Sequence, residues 1–144
     1  MLMFGKELSV DQRLQKALVN ILELDEFVAL SGVLMVGQRT LTDDPAIPTA
    51  CTNGRDEMYS RAFISTLTNP ELRFVILHES FHKMYRHLCT WQPLYKQDAR
   101  LANMACDYVI NLQLTDTEAH KRGEIGRAHV RTPVTSLSRM PSSA

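Results

Sequence analysis

The sequence predicts an α+β fold that is mostly helical and carries one small antiparallel sheet. Three observations lead there. Apolar residues recur at helical spacing over three stretches, and an Asn-Gly pair stands between two short runs that favour extended backbone. The third is Phe74 to Leu88, which reads as one continuous central helix and contains His78-Glu79-Ser80-Phe81-His82. A chain of 144 residues, 44% of them hydrophobic, has room for one domain with a real core.

The first predicted helix is capped by Ser9 and places Val10, Leu14, Ala17, Leu18, Ile21 and Leu22 on one face. It is expected to run to about Leu30, where Ser31-Gly32 breaks it. Its carboxylates Glu23, Asp25 and Glu26 read as a solvated face rather than a metal site. Val33 to Thr40 looks like a strand, followed by a loop through Asp43-Asp44-Pro45 and Pro48. Asn53-Gly54 then predicts a hairpin with a type I′ turn, in which both central residues need positive φ. A short helix is expected over residues 61–67. Thr68-Asn69-Pro70-Glu71 opens the next, with Thr68 or Asn69 as cap and Pro70 at the first helical position. That helix should reach about Leu88. Trp91, Pro93 and Tyr95 mark a connection, and a last helix is expected from about Asp98 to Leu114.

Composition excludes several classes. The formal charge is zero, so nothing points to nucleic acid or to an anionic membrane as partner. No apolar run reaches membrane-spanning length, and residues 1–7 lack the apolar stretch of a secretory signal, so a cytoplasmic location is expected. Cys51, Cys89 and Cys106 show no Cys-x-x-Cys spacing, which fits free thiols in a reducing compartment. Cys89 and Cys106 are expected to be buried thiols rather than ligands.

Residues 124–144 have no apolar periodicity and resemble the translation of a common sequencing-library adapter, given one base change at Arg131. A natural disordered tail is the alternative. In either case the segment is set aside from the fold, His129 is not counted as a ligand, and a natural continuation past Gly123 is expected to be hidden.

The motif helix carries the chemistry. Residues four apart on an α-helix lie about 40° apart and one turn apart, so the imidazoles of His78 and His82 project toward one point. This is half of a tetrahedral zinc site. Glu79 is displaced around the helix, where His-Glu-x-x-His places a general base rather than a ligand. Catalytic zinc takes three protein ligands and keeps one position open. His87 follows His82 by five residues and would lie about 140° away on a continuous helix. No Gly turns the chain back between them. Asp107 is the better third ligand, because a carboxylate amid a mostly apolar helix needs a partner. Asn103 and Asn111 flank it at i−4 and i+4, a stripe suited to orienting a carboxylate and imidazoles. The plainer alternative is a buried Asp/Asn cluster linking helices.

From about Thr49 to Leu114 these blocks resemble the predicted metallopeptidase domain often found ahead of a von Willebrand factor A-like domain. The resemblance rests on Thr52-Asn53-Gly54, Tyr59 and Phe63, Leu67-Thr68-Asn69-Pro70-Glu71-Leu72, His78-Glu79-x-x-His82 with His87, and Asn103-Met104-Ala105-Cys106-Asp107-Tyr108-Val109-Ile110-Asn111. It implies a zincin-like domain over residues 1–123, with His78, His82 and Asp107 on Zn2+ and Glu79 as catalytic acid/base. It also implies a peptide or protein substrate, and a von Willebrand-like domain or an ATPase as partner. Asn53 departs from the family's turn aspartate, and Lys83 stands where protease signatures prefer an uncharged residue. The expected function is hydrolysis of peptide bonds by a metal-activated water with Glu79 as general base. Its rival is a non-catalytic, metal-stabilised binding or scaffold module. Tyr85, at i+7 from His78, is expected to be a core aromatic rather than an oxyanion donor.

Overall fold

The structure is a computed structural model and describes residues 6–128. Helix α1 (Val10–Leu22) opens on a capping box in which Ser9 accepts from the Gln12 amide and Gln12 returns a bond to the Ser9 amide. It stops at Leu22, short of the expected Leu30, and a 3-10 helix covers Asp25–Leu30. The buried face of α1 is Leu14, Ala17 and Ile21. A straight continuation would have left Phe27 about 120° off that face. The break turns it into the core, where it is buried.

The expected strand over residues 33–40 is also corrected. Ser31–Leu34 forms one helical turn, α2, and only Arg39–Thr42 is strand β1. Leu34 is buried while Met35 and Val36 are exposed, so the apolar run belongs to a turn, not to a covered strand. Gly37 ends it at φ +75, and a Cβ there would stand 1.9 Å from the Arg55 carbonyl oxygen.

Strands β2 (Ala50–Thr52) and β3 (Glu57–Ser60) pair antiparallel as the Asn-Gly signal predicts. However, the loop has four residues and only Gly54 has positive φ, so it is not a type I′ turn. Asn53 Oδ1 instead accepts from the amides of Arg55 and Asp56. Strand β1 joins the other edge of β3 in parallel, giving the order β1-β3-β2. The sheet is therefore mixed rather than antiparallel, inside an α+β fold that is mostly helical.

Helix α3 (Arg61–Thr66) leads to α4 (Asn69–Met84), whose cap is Thr68, with Glu71 closing the box; Pro70 is at the second helical position. Every residue from Phe74 to Lys83 is buried. A helix covered on all sides lies inside the molecule, and α4 packs against α1, α2, β2, α5 (His87–Thr90) and α6 (Gln92–Thr115). It ends four residues before the expected Leu88. Helix α6 begins earlier than expected but breaks at Asp98, whose side chain accepts from the Leu101 amide and so starts its inner half where the sequence places it. A final turn, α7 (Glu118–Lys121), precedes residues 124–128, where Gly126 donates to the Pro70 carbonyl and Ile125 and Ala128 are buried. His129, set aside as a ligand, lies outside the described residues.

Lys83 is explained by what it meets. Its Nζ is 3.1 Å from Glu57 Oε1 and donates to the Val36 carbonyl at 3.0 Å. Arg39 reaches the other oxygen of Glu57 at 2.6 Å, and the Tyr59 hydroxyl donates to that same oxygen. This buried network ties α4 to the sheet and to the α2 turn. Removing one partner of a buried set leaves charge uncompensated in low dielectric. Glu57→Gln should cost roughly 3–5 kcal/mol of stability. Urea unfolding measures this, and an unchanged midpoint would show that the network contributes nothing.

Candidate metal centre

The capping box of α4 fixes the phase of the helix, and the fold then presents His78 and His82 to the inner half of α6. There Asn103, Asp107 and Asn111 stand at successive i+4 positions, with Asn103 and Asp107 buried. Asp107 Oδ1 is 3.2 Å from His78 Nε2 and 2.9 Å from His82 Nε2, and the two Nε2 atoms are 3.1 Å apart. Two imidazoles and one carboxylate thus meet edge to edge across the α4–α6 interface.

The remaining atom of each group is occupied. His78 Nδ1 faces Asn111 Oδ1 at 3.0 Å, and Asn103 Nδ2 donates to Asp107 Oδ2 at 3.2 Å. An amide oxygen only accepts, so His78 carries its proton on Nδ1 and leaves a lone pair on Nε2. That lone pair and an oxygen of Asp107 are aimed at one point. For zinc bound at about 2.0–2.1 Å in tetrahedral geometry, neighbouring ligand atoms sit about 3.3 Å apart. Separations of 2.9–3.2 Å are within a few tenths of that value, so the residues fit a small divalent cation.

The electrostatics run the same way. Burial pushes the His82 imidazole below its ordinary value, against the opposing pull of the Asp107 carboxylate beside it. Burial raises the Asp107 carboxyl, but the His78 and His82 imidazoles beside it outweigh that and hold the group below the usual range. These shifts favour the carboxylate form of Asp107 and the unprotonated form of His82, the states that a metal requires.

Glu79 is fully buried on the next face of α4, one turn before Lys83, and its charge is felt by Lys83 and by Tyr59 on β3. The expectation that His87 points away is overturned. Arg86 adopts left-handed backbone at φ 52, ψ 41, so the helix breaks without a glycine. His87 folds back until its Nδ1 is 3.0 Å from His82 Nδ1, and burial with His82 alongside lowers it to about 4. Nothing in the residue types around Arg86 signals this turn. Tyr85 is half-exposed rather than core, donates to Gln113 Oε1 at 2.8 Å and stacks on His87. Cys106 is buried as expected, whereas Cys89 is exposed. Beyond His87 lies a groove of about 500 Å³, lined mainly by Trp91, Leu94, Ala105, Cys106 and Val109.

Residues 9–131 match the model of a family described as "putative metallopeptidase domain". No curated protein and no solved structure matches the chain. No helix among the described residues is long and apolar enough to cross a membrane.

Because His87 and His82 bind protons more weakly in the folded protein than their ordinary 6.5, the unfolded chain is protonated first as pH falls. The contribution of His87 is complete above about pH 6.5 and lost downward to about pH 4, and that of His82 is lost in the same direction. Metal-free protein should therefore melt at progressively lower temperature between pH 7 and pH 4. A flat series of thermal melts would contradict this.

Proposed function

Because the chain belongs to this metallopeptidase-domain family, we propose that it is a zinc-dependent peptidase of zincin-like arrangement, with the His-Glu-x-x-His motif on the helix around which its site is built. The observation that carries the reading is the convergence of His78 Nε2, His82 Nε2 and Asp107 Oδ1 within 3.2 Å of one another. Two imidazoles and one carboxylate are a donor set that suits Zn2+, and three ligands leave a position for substrate chemistry. When bound, the ion supplies a Lewis acid that polarises a carbonyl and acidifies water.

The chain's own residues do the rest. His78 and His82 offer neutral nitrogens, with the Asn111 amide holding the ring of His78. Asp107 adds a negative charge and is kept in place through Oδ2 by Asn103. Glu79, adjacent to His78, takes the proton of the attacking water and returns it to the leaving amine, leaving the carboxylate as it began. The substrate is a peptide or protein, and the reaction is placed in the cytoplasm. By family likeness, a von Willebrand-like domain or an ATPase is the partner.

One observation favours the rival reading. His78 and Glu79 are both fully buried, as befits an ion that only clamps α4 to α6. A pair of variants separates the two. Glu79→Gln should keep one equivalent of zinc by elemental analysis and lower cleavage of an unfolded protein substrate by about 10²–10⁴-fold. Asp107→Ala should lose most of the metal. Zinc-replete wild-type protein that cleaves no peptide would establish the clamp, and wild-type protein that takes up no zinc would end both readings.

A further inference from the structure

His82 is the ligand whose orientation the reading above leaves unexplained. His78 is fixed by an amide oxygen, which can only accept. The Nδ1 of His82 instead faces another imidazole nitrogen, Nδ1 of His87, at 3.0 Å. One of the two atoms must carry the proton and the other must accept it.

The far edge of the His82 ring decides which. Its Nε2 lies 2.9 Å from Asp107 Oδ1 and 3.1 Å from His78 Nε2, at the point where a cation would sit. If His87 donated, His82 would hold its proton on Nε2 and aim it into the site. If His82 donates, Nε2 has a free lone pair and Nδ1–H is satisfied. Resting on the metal-site reading, we infer that His87 is a positioning residue: its Nδ1 accepts the Nδ1–H of His82 and holds His82 in the tautomer that binds metal through Nε2.

The surroundings of His87 suit the role. It is 6% exposed, its ring stacks on Tyr85 at 5.4 Å between centroids with 23° between planes, and it meets His82 nearly edge-on at 80°. The left-handed turn at Arg86 delivers it there, a backbone state that few non-glycine residues adopt. Metal-binding histidines commonly donate their other ring N–H to an oxygen acceptor, and losing such a partner typically weakens metal binding about 10–100-fold. Here a histidine nitrogen takes that place, so each of the three ligands has its own holder: Asn111, His87 and Asn103.

The test compares wild type, His87→Leu and His87→Asn by zinc competition against a chromophoric chelator, with thermal melts of the metal-free forms as a check on folding. His87→Leu fills the space without an acceptor and should weaken zinc binding about 10–100-fold while still saturating at one equivalent. His87→Asn, whose side-chain oxygen reaches the position of Nδ1, should restore most of the affinity. In zinc-loaded wild type, nitrogen-15 spectra of the histidines should show His82 protonated at Nδ1 and His87 unprotonated there. Wild-type affinity in His87→Leu would overturn the inference, as would His87→Asn binding as weakly as His87→Leu, or a His87 nitrogen bonded to zinc. Wild-type protein that binds no zinc at all would instead remove the metal site itself.

Discussion

The structure depends on one constraint: α4 is buried on every side and yet carries His78, Glu79, His82 and Lys83. Polar and charged groups withdrawn from water are costly unless each finds a partner. The helix solves this by geometry. Residues four apart share a face, so the four groups form two stripes, His78 with His82 and Glu79 with Lys83, about 100° apart. The first stripe is met by α6 through Asp107 and Asn111. The second is met by the sheet, where Glu57 and Arg39 bring one more carboxylate and one more cation. Two carboxylates and two cations then balance on that side.

These stripes are coupled through the same backbone, which gives the sheet a part in the site. Strand β3 supplies Glu57 and Tyr59, and burial together with the charges of Glu57 and Glu79 keeps the Tyr59 phenol well above its ordinary pKa. Lys83, anchored to Glu57 and to the Val36 carbonyl, fixes the rotation of α4 about its axis from a face about 100° round from the one that meets α6. Any rotation that freed the histidines would also tear Lys83 from its buried partners. Thus the residue that seemed out of place in a protease signature supports the presentation of the imidazoles.

What was legible in the sequence was local. The pairing of His78 with His82 follows from helical spacing, and Asp107 stood out because a carboxylate in an apolar helix, with asparagines one turn either side, demands company. The caps at Ser9 and Thr68 and the hairpin at Asn53-Gly54 are likewise short-range signals, and the first two set helix phase. The failures were of another kind. His87 depends on a non-glycine residue taking left-handed backbone, which no residue type near Arg86 announces. The run Val33 to Val36 has strand composition, but Gly37 packs against the Arg55 carbonyl and only Leu34 finds cover. The Glu57 network joins residues far apart in the chain, and nothing short-range marks them as partners.

The clamp and the enzyme readings make different demands on the donor set. A structural zinc site is closed by four protein ligands, whereas a catalytic one keeps a position open. Among the described residues three groups converge, and Nδ1 of His87 is turned to the outer edge of His82. The number of donors is set by residue chemistry and by the phase of two helices, both of which are pinned by buried partners. Burial of Glu79 points the other way, toward an ion that only clamps the two helices. The donor count among the described residues is the one that the hydrolase reading requires, and it stands against that burial.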